Sequence, residues 1–105
     1  MKENDKGFEI FIEFIRYEAG LKDDFEINLV TSIEEDLGVT GMEAVELIEK
    51  FSEVFNVDIS CFTAKLYFHP EFYWGVEERI IRPFTVGDLY LAALLGKLDD
   101  KNIGN

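Results

Sequence analysis

A chain of 105 residues and 12.1 kDa has room for one domain, residues 1–105, and none for a second catalytic domain. Hydrophobic residues make up 48% and include 10 Phe, 4 Tyr and 1 Trp, enough to form a core without metal or disulfide support. Ten Lys and Arg against 22 Asp and Glu give a formal net charge of −12, which repels phosphate backbones and anionic headgroups. Nucleic-acid binding is thereby disfavoured and a basic protein partner favoured. The one cysteine, Cys61, excludes an intramolecular disulfide and every multi-cysteine zinc pattern. No uninterrupted apolar run is long enough to cross a bilayer, so no membrane insertion is expected. The stretch following Met1–Lys6 carries Glu9 and Glu13, unlike the apolar middle of a secretory signal. The expected setting is reducing and cytoplasmic.

In chain order, the apolar residues Phe8, Phe11, Ile12 and Ile15 fall at helical spacing and predict a first helix over 8–17, stopped by Gly20. Residues 21–33 lack periodicity and predict a loop anchored by Phe25, Ile27, Leu29, Val30 and Ile33. Asp23, Asp24 and Glu26 lack the glycine that a calcium loop needs at its turn. The clearest helix runs from Thr40 to Phe55, with Thr40 and Glu43 spaced as a capping box. Its expected apolar face is Met42, Val45, Leu47, Ile48, Phe51, Val54 and Phe55. Residues 56–60 break the pattern, and Ser60 can cap a short turn through Thr63, Ala64 and Leu66. Residues 67–84 hold both prolines and the aromatics Tyr67, Phe68, Phe72, Tyr73 and Trp74. A short hairpin and an irregular cover remain open there, and in either case so much apolar area should fold onto the core. Thr85, with Asp88 three residues on, predicts the last helix through Leu95, ended by Gly96. The tail from Asp99 to Asn105 should fray.

The single histidine, His69, lies eight residues beyond Cys61, but a nucleophilic pair needs spatial adjacency and an orienting group that spacing does not supply. A turn histidine and a buried structural cysteine are the plainer expectation. Adjacent carboxylates such as Asp23/Asp24 and Glu77/Glu78 are too numerous for any one pair to mark an acid–base dyad, and no glycine-rich phosphate loop follows a strand. What stands apart is the run from Glu34 to Asp58, where eight acidic residues accompany one basic residue, Lys50. Glu43, Glu46, Glu49 and Glu53 recur at helical spacing, so one face of the second helix carries negative charge. Such a strip can be no more than the solvated side of an amphipathic helix. Like charges at i, i+3 and i+4 nevertheless cost a helix a few tenths of a kcal/mol per pair, which favours a role facing a partner.

The run Ser32-Ile33-Glu34-Glu35-Asp36-Leu37-Gly38-Val39-Thr40-Gly41-Met42-Glu43-Ala44-Val45-Glu46-Leu47 resembles the centre of acyl carrier proteins. There a Glu-Asp-Leu-Gly turn leads into Asp-Ser-Leu and an acidic helix. The resemblance continues through Phe55–Ser60 and resumes at Phe84-Thr85-Val86-Gly87-Asp88-Leu89, which is similar to the start of the final carrier helix. It implies an all-α, acyl-carrier-like four-helix bundle with a long first loop and an aromatic-rich insertion before the last helix. The combination is similar to that of an uncharacterised group of short bacterial carrier-like proteins.

The departure falls on the serine that carries 4′-phosphopantetheine in that family, because the aligned triplet is Thr40-Gly41-Met42 and Gly41 has no hydroxyl. Thr40 lies one position early, where its side chain is expected to cap the helix, and Ser32, Ser52 and Ser60 lie elsewhere. The resemblance therefore implies a non-catalytic carrier-like protein without cofactor or metal. Its partner would contact Met42, Glu43, Glu46, Glu49 and Glu53 through a basic surface, as on an acyl-transfer or lipid-metabolism enzyme. Two alternatives stay open: a genuine acyl carrier modified at an unconventional residue in lipid or polyketide metabolism, and a cysteine enzyme using Cys61 and His69.

Overall fold

The computed structural model describes residues 6–68 and 81–103. Helix α1 spans Lys6–Glu18 and buries Phe8, Phe11 and Ile15, with Ile12 and Phe14 partly covered, while Ile10 and Tyr17 face outward. These residues mark a single stripe at helical spacing. The helix stops at Gly20, whose φ of 67° lies in the left-handed region. Arg16 then fixes the chain that follows, because its Nη1 donates to the carbonyls of Lys22 at 2.6 Å and Phe25 at 2.8 Å.

The loop beyond is strapped to the start of the last helix. The N–H groups of Ile33, Val86 and Gly87 donate to the carbonyls of Phe84, Thr31 and Leu29, at 3.0, 2.9 and 2.9 Å. Ser32 and Thr85 form an antiparallel bridge within this strap. Of the expected anchors, Ile33 is fully buried and Ile27 and Leu29 pack against the core, but Phe25 is exposed and Val30 lies 79% exposed at a turn. Next comes a single capped turn. Ser32 Oγ accepts from the Glu35 N–H at 3.1 Å, and Asp36 Oδ2 accepts from the Ser32 N–H at 2.7 Å.

Helix α2, Gly41–Phe55, buries Ala44, Leu47, Ile48 and Phe51. Its C-cap is Asn56 at φ 55°, a left-handed residue that turns the chain into strand β1, Asp58–Cys61. Ser60 therefore sits in a strand, and Thr63 is the cap of the 3-10 turn that follows at Ala64–Leu66. Helix α3, Val86–Leu95, opens on Thr85 as expected, and the cap is a reciprocal box: Thr85 Oγ1 accepts from the Asp88 N–H at 3.2 Å, and Asp88 Oδ2 accepts from the Thr85 N–H at 3.0 Å. It ends at Gly96, φ 81°, which redirects the chain into strand β2, Lys97–Asp99. β1 and β2 run parallel, with Asp58 opposite Lys97 and Cys61 opposite Asp99. The register is irregular between those pairs, where the Ser60 N–H is taken by the Asp58 carboxylate at 2.9 Å.

The described residues thus form three α-helices and a two-stranded parallel sheet, which overturns the expected all-α four-helix bundle. Two left-handed turns, at Asn56 and Gly96, send α2 and α3 each into an extended segment, and the two segments pair. Between β1 and Thr85 the described residues hold one 3-10 turn, Ala64–Leu66. The tail is not frayed through Ile103: Leu98 is buried, Asp100–Asn102 form a 3-10 turn, and Ile103 packs on the core.

Two aromatic groups organise the interior. Phe11 meets Phe51, Phe55 and Tyr90 at centroid distances of 6.1, 5.8 and 5.3 Å, joining all three helices. Phe62, Tyr67 and Phe84 form the second, with Phe62 stacked on Tyr67 at 5.2 Å. Each such pair adds about 0.5–1.5 kcal/mol beyond area burial. Tyr67 and Phe68 are buried as expected of the aromatic stretch, while Phe72, Tyr73, Trp74 and any hairpin they form lie outside the described residues.

Candidate interaction face

The buried side of α2 forces its remaining positions outward. Met42, Glu43, Glu46, Glu49 and Glu53 are all exposed, and Met42, Glu46, Glu49 and Glu53 follow one another at i, i+4, i+7 and i+11, a single stripe along the outer surface. Val45 and Val54, 39% and 56% exposed, flank that stripe, as does Lys50. Sequence periodicity assigns Met42, Val45 and Val54 to the buried face, and the structure moves all three to the surface. The buried arc is narrower because Ala44, Leu47, Ile48, Phe51 and Phe55 already fill the side toward the core. The face is consequently mixed, with apolar side chains set among carboxylates.

At the head of the helix Thr40 is the N-cap by position, with extended backbone, but its side chain makes no cap hydrogen bond. Its hydroxyl instead donates to Glu34 Oε1 at 3.2 Å, so the expected Thr40–Glu43 capping box is not formed. Gly41, the first helical residue, has φ 59°, a left-handed value that disfavours a side chain. The position that aligns with the carrier serine therefore lacks both the hydroxyl and the backbone conformation suited to bearing one, and these residues do not fit a phosphopantetheine attachment. Ser32 Oγ is held in its own turn, Ser52 Oγ donates to the Val57 carbonyl at 2.6 Å, and Ser60 lies in β1.

The acidic run before α2 has a different use. Glu34 accepts from Thr40 and Asp36 caps Ser32; beyond α2, Asp58 in β1 likewise accepts from Ser60, whose N–H and hydroxyl hold the Asp58 carboxyl below its ordinary value. These carboxylates shape turns. A cleft of about 260 Å³ opens between Glu34 and Glu35 on one side and Arg82 and Phe84 on the other.

A second polar cluster, absent from the sequence reading, centres on Asp100. Its carboxylate accepts from the Thr63 N–H at 3.1 Å, the Thr63 hydroxyl at 2.8 Å and the Tyr67 hydroxyl at 2.9 Å. Burial opposes its ionisation, but those three donors and the charge of Arg82 outweigh it and hold the carboxyl below its usual range. Burial, the Asp100 hydrogen bond and the Asp100 charge push Tyr67 up to about 12, against a smaller opposing effect of Arg82. A phenol so protonated and a carboxyl so ionised do not exchange protons near neutrality; the cluster ties the C-terminal turn to the 3-10 turn after β1.

Cys61, expected to be buried, is exposed at the end of β1, a strand in which only Ile59 is partly buried against the core. His69 lies outside the described residues, and with it the geometry of any Cys61–His69 pair. Among the described residues no group of three or more His, Cys, Asp or Glu is placed to hold a metal ion, and no helix is long and apolar enough to cross a membrane.

Residues 7–98 match the model of a protein family described as a protein of unknown function, DUF1493. The chain belongs to that family. No curated protein and no solved structure matches it. The DUF1493 match runs from the second residue of α1 into β2, so it takes in the whole acidic face of α2 and the strap to α3, and ends before Asp100.

Proposed function

We propose that this chain is a non-catalytic, acyl-carrier-like interaction protein that binds a basic surface of a partner protein through the outer face of α2, without a prosthetic group. The observation that carries this reading is the composition of that face: exposed Met42 heads a stripe of Glu46, Glu49 and Glu53, with Glu43, Val45 and Val54 at the margins and Lys50 as the lone cation of the helix. Carboxylates placed i, i+3 and i+4 apart oppose helix formation, and apolar side chains among them lose free energy in water. A basic surface with an apolar centre would relieve both. The likeness of the Ser32–Leu47 run to the carrier centre supports the same face, and the state of Gly41 supports the absence of the cofactor. By the same likeness the partner is an acyl-transfer or lipid-metabolism enzyme, and the setting is the bacterial cytoplasm. The test is affinity capture from the native host with wild type and a Glu43→Lys/Glu46→Lys variant in parallel. A basic protein retained by wild type and lost from the folded variant supports the reading; equal retention by both removes it.

A further inference from the structure

We draw no further inference here: the strongest candidate, the apolar cleft of about 270 Å³ lined by Ile10, Phe11, Phe55, Tyr90, Ala93 and Leu94 where the three helices meet, is an unpartnered surface for which nothing in the structure shows what covers it.

Discussion

Three single residues concentrate the constraints of this fold. Gly87 lies so close to the strap that a Cβ on it would stand 2.6 Å from the Leu29 carbonyl oxygen, a backbone atom that cannot swing away. Gly87→Ala should therefore cost about 1–3 kcal/mol, the range of core overpacking, and speed exchange of the Val86 and Gly87 amides that hold the strap; chemical denaturation with amide exchange checks both. Gly41 is constrained through its φ of 59°. Gly41→Ser should lower stability by about 1–2 kcal/mol and gain no phosphopantetheine mass from a broad-specificity transferase; thermal unfolding and intact mass read the two halves. Asp100 acts through its acceptors. Its folded pKa is depressed, so its contribution is complete above about pH 4 and is lost as pH falls through the folded value. That of Tyr67 is raised, so its contribution is complete below about pH 10 and declines as pH rises toward about 12. Asp100→Ala should destabilise by about 1–3 kcal/mol at pH 7, because a buried donor loses its acceptor, and the Tyr67 titration should move down toward 10; a tyrosine absorbance titration that leaves Tyr67 unmoved contradicts the assignment. The sequence marks Gly41 only by its missing hydroxyl, since composition does not distinguish a glycine needed for φ from one merely tolerated. Asp100 is hidden in an acidic tail, and its partners are 37 and 33 residues away, beyond any local spacing rule.

At the scale of elements, the sequence shows most clearly what is long and periodic. α1, α2 and α3 fall close to their expected spans, and Gly20, Gly96 and Thr85 end or begin them as expected. β1 and β2, at 4 and 3 residues, are too short to display alternation, and they exist because each pairs with the other after a left-handed turn. The outer face of α2 was legible because four glutamates repeat at helical spacing. Its apolar members were not, because periodicity alone cannot say how wide an arc the core will cover. The stripe also makes the helix less stable than it could be. Glu49 stands between Glu46 and Glu53 at i−3 and i+4, whereas Glu46 precedes Lys50 at i+4 in the favourable orientation. Glu49→Gln removes two repulsions and leaves the Glu46–Lys50 pair. It should raise stability by a few tenths of a kcal/mol at low salt, a gain that shrinks as salt is added; thermal unfolding across ionic strengths checks it, and a loss of stability would show that Glu49 has a structural partner.

For the molecule as a whole, the carrier resemblance forecast a bundle of four helices, whereas the described residues form three with a small sheet, because extended segments follow both α2 and α3 and pair with each other. The resemblance rests on the capped turn, the acidic helix and the Thr-Val-Gly-Asp-Leu start of α3, which are local features that another tertiary arrangement can also hold. A net charge of −12 surrounds this scaffold with a negative potential, and the α2 stripe is a place where it meets exposed apolar side chains. Such a field governs encounter more than residence. Reversal at Glu43→Lys and Glu46→Lys should therefore slow association with a basic partner at least tenfold at low salt and change dissociation little. It should leave thermal stability within a few tenths of a kcal/mol of wild type, since the like-charge contact at i, i+3 persists with its sign inverted and the repulsion relieved toward Glu49 is offset by loss of the Glu46–Lys50 pair. Wild-type association should itself slow as the ionic strength rises past about 0.1 M, where the Debye length drops below about 10 Å, while the variant should respond weakly or in the opposite sense. The decisive comparison sets association rate against unfolding temperature for the same two proteins over a salt series. A folded variant that associates as fast as wild type at low salt would reduce the stripe to a solvated helix face, and the acidic helix would no longer support a docking role.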